Sequence, residues 1–223
     1  MLFDFSILTI IKVILSVQRY AMTRLNLLIV NTKLNTHITA STRLSGDLAV
    51  WFFILAEVTV FAIFFFAYCS MYYLKTDLFV ASQQVLHPVA GLINTIALIS
   101  SSYLVAIAVI FAKQKQNSRA RLAILVAVLL SMVYVATKLW EYNILISEGY
   151  RLSTNTFFMF YFFITGFHFM HVLLGMFVLL LVYRNLAHPE FLPNSLNTVE
   201  SAASYWHMVD LVWVILFPLL YVI

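Results

Sequence analysis

Charged residues are scarce in this sequence of 223 residues, since Lys, Arg, Asp and Glu together make up only 10% of it. Hydrophobic residues make up 63%, and the mean hydropathy is +0.96. Soluble domains average about 45–50% apolar and about 25% charged residues. A water-soluble globule is therefore excluded, because too few polar side chains exist to cover its surface, and lipid must be the solvent for most of the fold.

Cysteine is almost absent as well, and the single one, Cys69, lies inside an apolar run. One thiol excludes a disulfide framework and a paired-thiolate metal centre within this chain, so Cys69 is interpreted as a packing residue. The net charge of +4 is small and spread over connecting segments, so no nucleic acid is expected as a partner. The sequence has no Gly-rich phosphate loop and no nucleophile with a base in a plausible cleft, so no independent enzymatic activity is expected.

Long apolar runs dominate what is present. In lipid, only helices or closed barrels satisfy every backbone hydrogen-bonding group, and runs of ~20 apolar residues select helices over barrel strands. The sequence therefore predicts an all-α integral membrane protein. Its predicted fold is a five-transmembrane-helix bundle, with spans at Leu48 to Leu74, Gly91 to Ala112, Leu122 to Leu139, Phe157 to Val182 and Ala202 to Val222.

Basic residues in the connecting segments predict the orientation, because cationic flanks stay on the cytoplasmic side during insertion. The connection between the second and third spans carries four basic residues between Lys113 and Arg121. The connections on the other side carry one each, Lys75 and Arg151. The N-terminus is thus predicted inside and the C-terminus outside.

The first 46 residues precede these spans. Leu2 to Val17 is apolar, but it contains Asp4 and Lys12 and as a helix would be only ~24 Å long. It also lacks the basic start and the cleavage site of a signal peptide. We expect residues 1–46 to be an interfacial or loosely ordered leader, with a sixth span as the alternative, ahead of a membrane domain of residues 47–223.

Ionisable side chains inside the apolar runs are the candidate functional residues, because each costs at least about 2.5–3.5 kcal/mol to insert. Glu57 lies about 15 Å into the first span. His168 and His171 are three residues apart on one face of the fourth span, and His207 and Asp210 have the same spacing in the fifth. The carboxylates and the two histidines of the fourth span fall at similar depth and could meet inside the bundle.

Three interpretations of these residues are open. The first is a metal or haem site built from His168, His171, His207 and Glu57, although the two Glu-x-x-His motifs of a bundle di-metal site are missing. The second, which the sequence favours, is a hydrogen-bonded polar seam that ties helices together, each bond contributing about 0.6–2 kcal/mol. The third is a proton-linked carboxyl or a lipid-headgroup site, because a buried glutamate can exchange a proton.

Other polar and aromatic residues are assigned to packing and to the helix ends. Lys138 and Glu141, at the outer end of the third span, can pair or snorkel to the headgroups. A stripe of small and hydroxylated residues on the second span fits a close helix contact: Gly91, Thr95 and Ser102. Aromatic residues near the segment ends are expected to anchor the protein at the interface: Trp140, Trp206 and Tyr221.

Two long motifs resemble those of the cytochrome c oxidase subunit III family. The segment Phe163 to Val172, with the letters FITGFHFMHV, resembles the family's Thr-Gly-Phe-His-x-x-His-Val signature. The segment Glu200 to Trp213, with the letters ESAASYWHMVDLVW, is similar to its last-helix signature. With shorter matches around Glu57, at Asn94 to Ser102 and at Glu141-Tyr142, the resemblance extends over residues 46–223.

The resemblance implies an accessory subunit without redox centres. Such a subunit packs against a catalytic haem-copper subunit I-like protein, holds membrane lipids in a cleft, and supports proton uptake and stability of the complex. Haem and copper are then expected in partner subunits, bound phospholipid is expected here, and no residue of this chain is assigned a catalytic, cofactor-binding or metal-binding role. The implied polar seam, linked to lipid or to protons, comprises Glu57, His168, His171, Glu200, His207 and Asp210.

Well-known members have seven helices, whereas this chain shows five. Shorter relatives occur in quinol oxidases and beside nitric oxide reductase. The amino-acid sequences of Gly46 to Glu57 and of Tyr205 to Asp210 are most similar to the branch associated with nitric oxide reductase, often called the E protein. Aerobic respiration and nitric oxide reduction both stay open, and residues 1–45 have no named counterpart. The expected localisation is multi-pass in a bacterial inner (plasma) membrane. The alternative function is a stand-alone transporter or proton-linked channel that uses the buried Glu/His seam, although the broken helices or repeats typical of transporters are missing.

Overall fold

A computed structural model describes residues 47–187 and 195–222 of the chain, and the structural statements below concern these residues. They form six helices: α1 (Leu48–Leu74), α2 (Thr76–Gln83), α3 (Pro88–Lys113), α4 (Asn117–Ser147), α5 (Thr156–Asn185) and α6 (Ser195–Tyr221). All but the short α2 are long and apolar enough to cross a membrane. The predicted all-helical fold with five spans is therefore confirmed.

Helix α1 has the bounds of its predicted span, whereas the other four spanning helices extend beyond theirs at one or both ends. Helix α4 runs from Asn117 to Ser147 rather than from Leu122 to Leu139, because helical hydrogen bonding continues through polar residues on either side of the hydrocarbon layer. Helix α2 was expected to be part of a connection, since eight residues are too few to cross the membrane. Helix α3 begins at Pro88, a position where the missing N–H of proline costs nothing.

Side-chain caps fix the starts of two spans. Asp47 accepts a hydrogen bond from the backbone N–H of Ala49 at the start of α1, at 3.2 Å. Asn155 accepts one from the N–H of Phe158 at the start of α5, at 2.9 Å. Both side chains satisfy N–H groups that have no partner within the helix.

Helix α6 lies at the centre of the packing, where it contacts α3, α5 and α1, while α3 also packs along α4. Helix α1 lies at the edge of the bundle. Its buried residues are Ile54, Phe61 and Tyr68, seven apart, so only a narrow stripe of α1 faces the other helices. The rest of α1 is left for lipid or for another membrane protein.

Two glycines allow α6 to approach its neighbours closely. A Cβ atom on Gly91 of α3 would lie 2.6 Å from the ring of Phe217, and one on Gly175 of α5 would lie 2.7 Å from the indole of Trp206. Further along α3, Thr95 and Ser102 also meet α6. The predicted close contact along the stripe of the second span is therefore confirmed.

Two expectations fall outside what this structure describes. The leader of residues 1–46 lies outside the described residues, as do residues 188–194 and 223. The inside and outside assignment of the two ends stays a prediction.

Candidate functional site

The carboxyl of Glu57 and the imidazole of His171 form a polar contact between α1 and α5. His171 Nε2 lies 3.0 Å from Glu57 Oε2, and His171 Nδ1 lies 2.8 Å from the carbonyl oxygen of Phe167, one turn earlier. The Glu57 side chain is 19% exposed, whereas that of His171 is 9% exposed. The pair therefore lies at the edge of the bundle, with its carboxyl toward the lipid.

The hydrogen-bonding geometry orients the His171 ring. The carbonyl of Phe167 can only accept, so His171 Nδ1 carries a hydrogen and donates to it. The 3.0 Å contact between Nε2 and the Glu57 carboxyl is then a second hydrogen bond of the same ring, in which either partner could supply the hydrogen. The two bonds hold the imidazole between its own helix and α1.

His168, one turn before His171, faces the interior of the bundle instead of Glu57. It is fully buried, and its ring stacks on the indole of Trp213 with centroids 5.3 Å apart. Its edge-on neighbours are Phe61 on α1 and Tyr134 on α4. Neither ring nitrogen has a hydrogen-bond partner among the described protein groups. His168 therefore packs at the junction of four helices and does not join the Glu57 contact.

His207 and Asp210 lie on the face of α6 that meets α3. His207 Nδ1 lies 2.6 Å from the hydroxyl of Ser102, a hydrogen bond between the two helices. Asp210 is buried one turn further along, and its Oδ1 has no partner among the described protein groups. These two residues connect α6 to α3, on a different contact from the one that holds Glu57 and His171.

Glu200 lies at the end of the bundle rather than in its interior. Its Oε1 is 2.8 Å from the ammonium of Lys113, with side chains 13% and 44% exposed. The backbone N–H of Asp47 donates to the hydroxyl of Ser201 beside it, at 2.9 Å. Glu200 thus joins the start of α6 to the end of α3, beside the start of α1.

The six residues of the expected seam are therefore divided among separate contacts. Among the described residues, no three His, Cys, Asp or Glu side chains converge on a point where they could hold a metal ion. His168 and His171 share a helix face and both contact Phe61 on α1. Their other partners differ, because His168 stacks on Trp213 of α6 whereas His171 is hydrogen-bonded to Glu57 of α1. The geometry ties helix to helix at each position, and it does not gather these side chains into one ligand set.

A further buried polar cluster, formed by Lys138, Glu141, Tyr161 and Tyr221, joins α4, α5 and α6. The Lys138 ammonium donates to Glu141 Oε2 at 2.9 Å, to the Tyr161 hydroxyl at 3.0 Å and to the Tyr221 hydroxyl at 2.8 Å. The Tyr221 hydroxyl also lies 2.9 and 2.8 Å from the two oxygens of Glu141. Both charged side chains are 0% exposed. All three donor positions of the ammonium are used, as a buried charge requires.

Aromatic rings enclose the Lys138 ammonium. Its nitrogen lies 4.7 Å from the ring centre of Tyr161, and 5.2 to 5.5 Å from those of Tyr142, Tyr221 and Trp213. Rings within about 6 Å attract a cation, most strongly where water is excluded. The cluster therefore compensates the burial of one ammonium with a carboxylate, two tyrosine hydroxyls and the aromatic rings around it.

Burial inside the bundle corrects three expectations from the sequence, which concern Lys138 with Glu141, Trp206 and Tyr221. Of the two possibilities for Lys138 and Glu141, pairing is confirmed and snorkelling is wrong, because neither side chain reaches the surface. Trp206 and Tyr221 are 1% and 8% exposed, so their assignment as interfacial anchors is wrong, whereas Trp140 is 52% exposed as an anchor would be. The sequence did contain a signal for the burial of Lys138 and Glu141: their spacing places them on the same face of α4 as Tyr134, which is also buried.

Comparison with known proteins identifies relatives of the chain. The family described as cytochrome c oxidase subunit III matches residues 2–223, and so includes the first 45 residues, for which no counterpart was named. Cytochrome c oxidase subunit 3 of Thermostichus vulcanus is 32% identical over 132 residues, which cover 59% of this chain and 64% of that protein. This chain thus spans slightly less than two thirds of the length of that relative.

Two other relatives match a larger part of the chain. A probable quinol oxidase subunit 3 of Staphylococcus saprophyticus is 25% identical over 178 residues, which cover 80% of this chain and 89% of that protein. Heme-copper oxidase subunit I+III of Aeropyrum pernix is 27% identical over 181 residues, which cover 78% of this chain and 22% of that protein. The particular likeness to the branch associated with nitric oxide reductase stays a prediction.

Proposed function

Because this chain belongs to the cytochrome c oxidase subunit III family and is an accessory subunit of a haem-copper oxidase, we propose that its Glu57–His171 pair serves lipid binding and proton uptake by the complex. The chain is a multi-pass integral membrane protein of a bacterial membrane. The family lacks redox cofactors and belongs with a catalytic subunit I. In the proposed complex, this chain packs against a subunit I-like protein that holds the haem and copper, as the combined I+III chain of Aeropyrum pernix supports.

The position of Glu57 carries this proposal. A carboxyl in the hydrocarbon region is costly, and such residues mark functional sites by default. Glu57 lies on the edge helix, where only a narrow stripe packs on the bundle, and its side chain stays partly exposed. A lipid beside α1 can therefore reach the carboxyl, and the proton shared with His171 can exchange there.

The remaining polar residues have a supporting part in this proposal. His207 joins α6 to α3 through Ser102, and Glu200 joins the same helices through Lys113 at the end of the bundle. Interhelical hydrogen bonds of this kind stabilise membrane proteins by about 0.6–2 kcal/mol each. They hold the helices that position α1 and its carboxyl beside the lipid.

Two substitutions of Glu57 separate its chemistry from its packing. In Glu57→Gln the side-chain amide donates to His171 Nε2, so the helix contact stays while the exchangeable acidic proton is lost. In Glu57→Leu both are lost. Each variant is assembled with its catalytic subunit, and the bound phospholipid and the proton-linked turnover of the complex are measured.

The proposal predicts that Glu57→Gln preserves assembly and thermal stability but lowers phospholipid retention, proton-linked turnover or both. Glu57→Leu, the matched control for packing, is expected to lower stability as well. A Glu57→Gln complex identical to the parent in lipid content and turnover would restrict Glu57 to a structural role. The haem subunit that co-purifies in the same preparation identifies whether the complex reduces oxygen or nitric oxide.

A further inference from the structure

The turn between α3 and α4 lies at the more basic end of the bundle. Among the described residues, this end carries Lys113, Lys115, Arg119, Arg121 and Arg184, against the two carboxylates of Asp47 and Glu200. The opposite end is balanced in the same part of the chain, with two cations, Lys75 and Arg151, and two carboxylates, Asp77 and Glu148. Within the described ranges, the excess of positive charge therefore lies at one end.

Most of this charge is not neutralised by carboxylates of the described residues. Lys113 pairs with Glu200 at 2.8 Å. Within the described part of the chain, Lys115, Arg119, Arg121 and Arg184 form no salt bridge with a carboxylate. The cations are therefore available to an anion from outside the protein.

Two of the guanidinium groups are held in place by neighbouring side chains. Arg121 lies over the ring of Tyr183, 4.6 Å from its centre, next to Arg184 at the end of α5. Arg119 donates to the side-chain oxygen of Gln116 at 3.0 Å and lies 6.0 Å from the ring centre of Phe111. Because these groups are positioned in advance, an anion that binds them pays less ordering entropy.

An open depression of about 440 Å³ lies at this turn, and its lining is polar. The lining residues supply two cations, two side-chain amides and a hydroxyl: Lys115, Gln116, Asn117, Ser118 and Arg119. Each of these groups can donate a hydrogen bond. Phosphate oxygens are strong acceptors that arginine and lysine bind well.

We propose that the basic turn, residues 113–121, binds the phosphate of an anionic phospholipid. Only three residues separate the membrane-spanning helices α3 and α4, so the turn lies where lipid headgroups lie. An anionic membrane surface attracts nearby Lys and Arg side chains, each by a few-fold in binding. The turn lies at one end of the bundle, whereas Glu57 lies within the first span, so the proposal does not depend on the role of Glu57.

The test uses the full-length chain in nanodiscs of phosphatidylcholine with a minor share of phosphatidylglycerol. After mild extraction, the lipids that stay bound are counted by mass spectrometry. The test variant is Lys115→Gln with Arg119→Gln. The matched control is Lys75→Gln with Arg151→Gln, which removes the same charge from the opposite end.

We expect phosphatidylglycerol to be enriched over phosphatidylcholine on the parent chain. The test variant should reduce that enrichment by about tenfold, while the control reduces it less than about twofold. Higher salt should weaken the enrichment, because surface charges are screened.

Three results would overturn the proposal. The first is a parent chain without phosphatidylglycerol enrichment, the result expected if the turn instead binds an acidic surface of a partner protein. The second is a control variant that loses as much enrichment as the test variant, which would make the preference a general charge effect. The third is displacement of the lipid by millimolar inorganic phosphate, which would mean that the turn takes free phosphate.

Discussion

The ammonium of Lys138 lies 2.8 Å from the hydroxyl of Tyr221, although the two residues are 83 positions apart in the sequence. Lys138 lies within α4 and Tyr221 ends α6, and both are buried. Together with Glu141 and Tyr161 they form one buried polar cluster, which connects the membrane-spanning helices α4, α5 and α6. The end of α6 is therefore held by a buried ion pair rather than by the membrane interface.

The first prediction concerns the strength of this ion pair. Lys138→Met leaves the Glu141 carboxylate buried without its cation, and Glu141→Leu leaves the ammonium without its anion. Each single variant should lower the free energy of unfolding by about 3–5 kcal/mol, whereas the double variant should lose much less. Unfolding by a graded denaturing detergent measures all three against the parent chain.

The partly exposed pair of Lys113 and Glu200, at the end of the bundle, is the matched control. Lys113→Met and Glu200→Leu, alone and together, should change the unfolding free energy by about 1 kcal/mol or less, because solvent screens this pair. Equal coupling energies for the two pairs would contradict the burial of Lys138 and Glu141.

The second prediction concerns the close approach of α5 and α6. In Gly175→Ala the added methyl group would lie 2.7 Å from the buried indole of Trp206, so the ring or the helices must shift. We expect a loss of about 1–3 kcal/mol in unfolding free energy. Thermal unfolding in detergent, followed by circular dichroism, is a sufficient measurement.

Gly166→Ala is its control on the same helix, because nothing lies within 4 Å of the added methyl group. This variant should be neutral or gain up to about 1 kcal/mol through better helix propensity. If both glycine variants behaved alike, the close α5–α6 contact would be wrong.

The third prediction concerns a buried hydrogen bond between α6 and α3. The indole N–H of Trp213 donates to the hydroxyl of Thr95 at 3.0 Å. Trp213→Phe and Thr95→Val each remove one partner, and a double-mutant cycle isolates the bond from the loss of ring area. We expect a coupling energy of about 0.6–1.7 kcal/mol, and a value indistinguishable from zero would mean that the two groups do not interact.

The sequence was sufficient to predict the spans, because a run of apolar residues long enough to cross the membrane has few alternatives. It was not sufficient for the helix ends. The segment from Glu141 to Ser147, which mixes polar and apolar residues, lies beyond the predicted span but continues α4. Hydropathy indicates which solvent surrounds a residue and does not show where the backbone hydrogen bonds of a helix end.

The sequence also indicated the depth of individual polar residues in the membrane better than it indicated which residues they contact. The depth of Glu57 and its match in level with His171 followed from a constant rise along the helices. The different surroundings of His168 and His171 did not follow from the sequence, because they depend on which neighbouring helix faces each residue. Tyr221 was assigned to the interface because tyrosine near a helix end is usual there, and only the packing of α4 against α6 places its hydroxyl on Lys138.

In the proposed function, the buried carboxyl and imidazole groups of this chain tie helices, lipid and a neighbouring subunit together and do not hold an electron carrier. A visible spectrum with iron and copper analysis tests this on the chain after it is separated, in mild detergent, from the complex with which it co-purifies. We expect haem absorption and copper to stay with the larger partner. Haem or stoichiometric copper bound to this chain and lost in His168→Ala, His171→Ala or His207→Ala would contradict it.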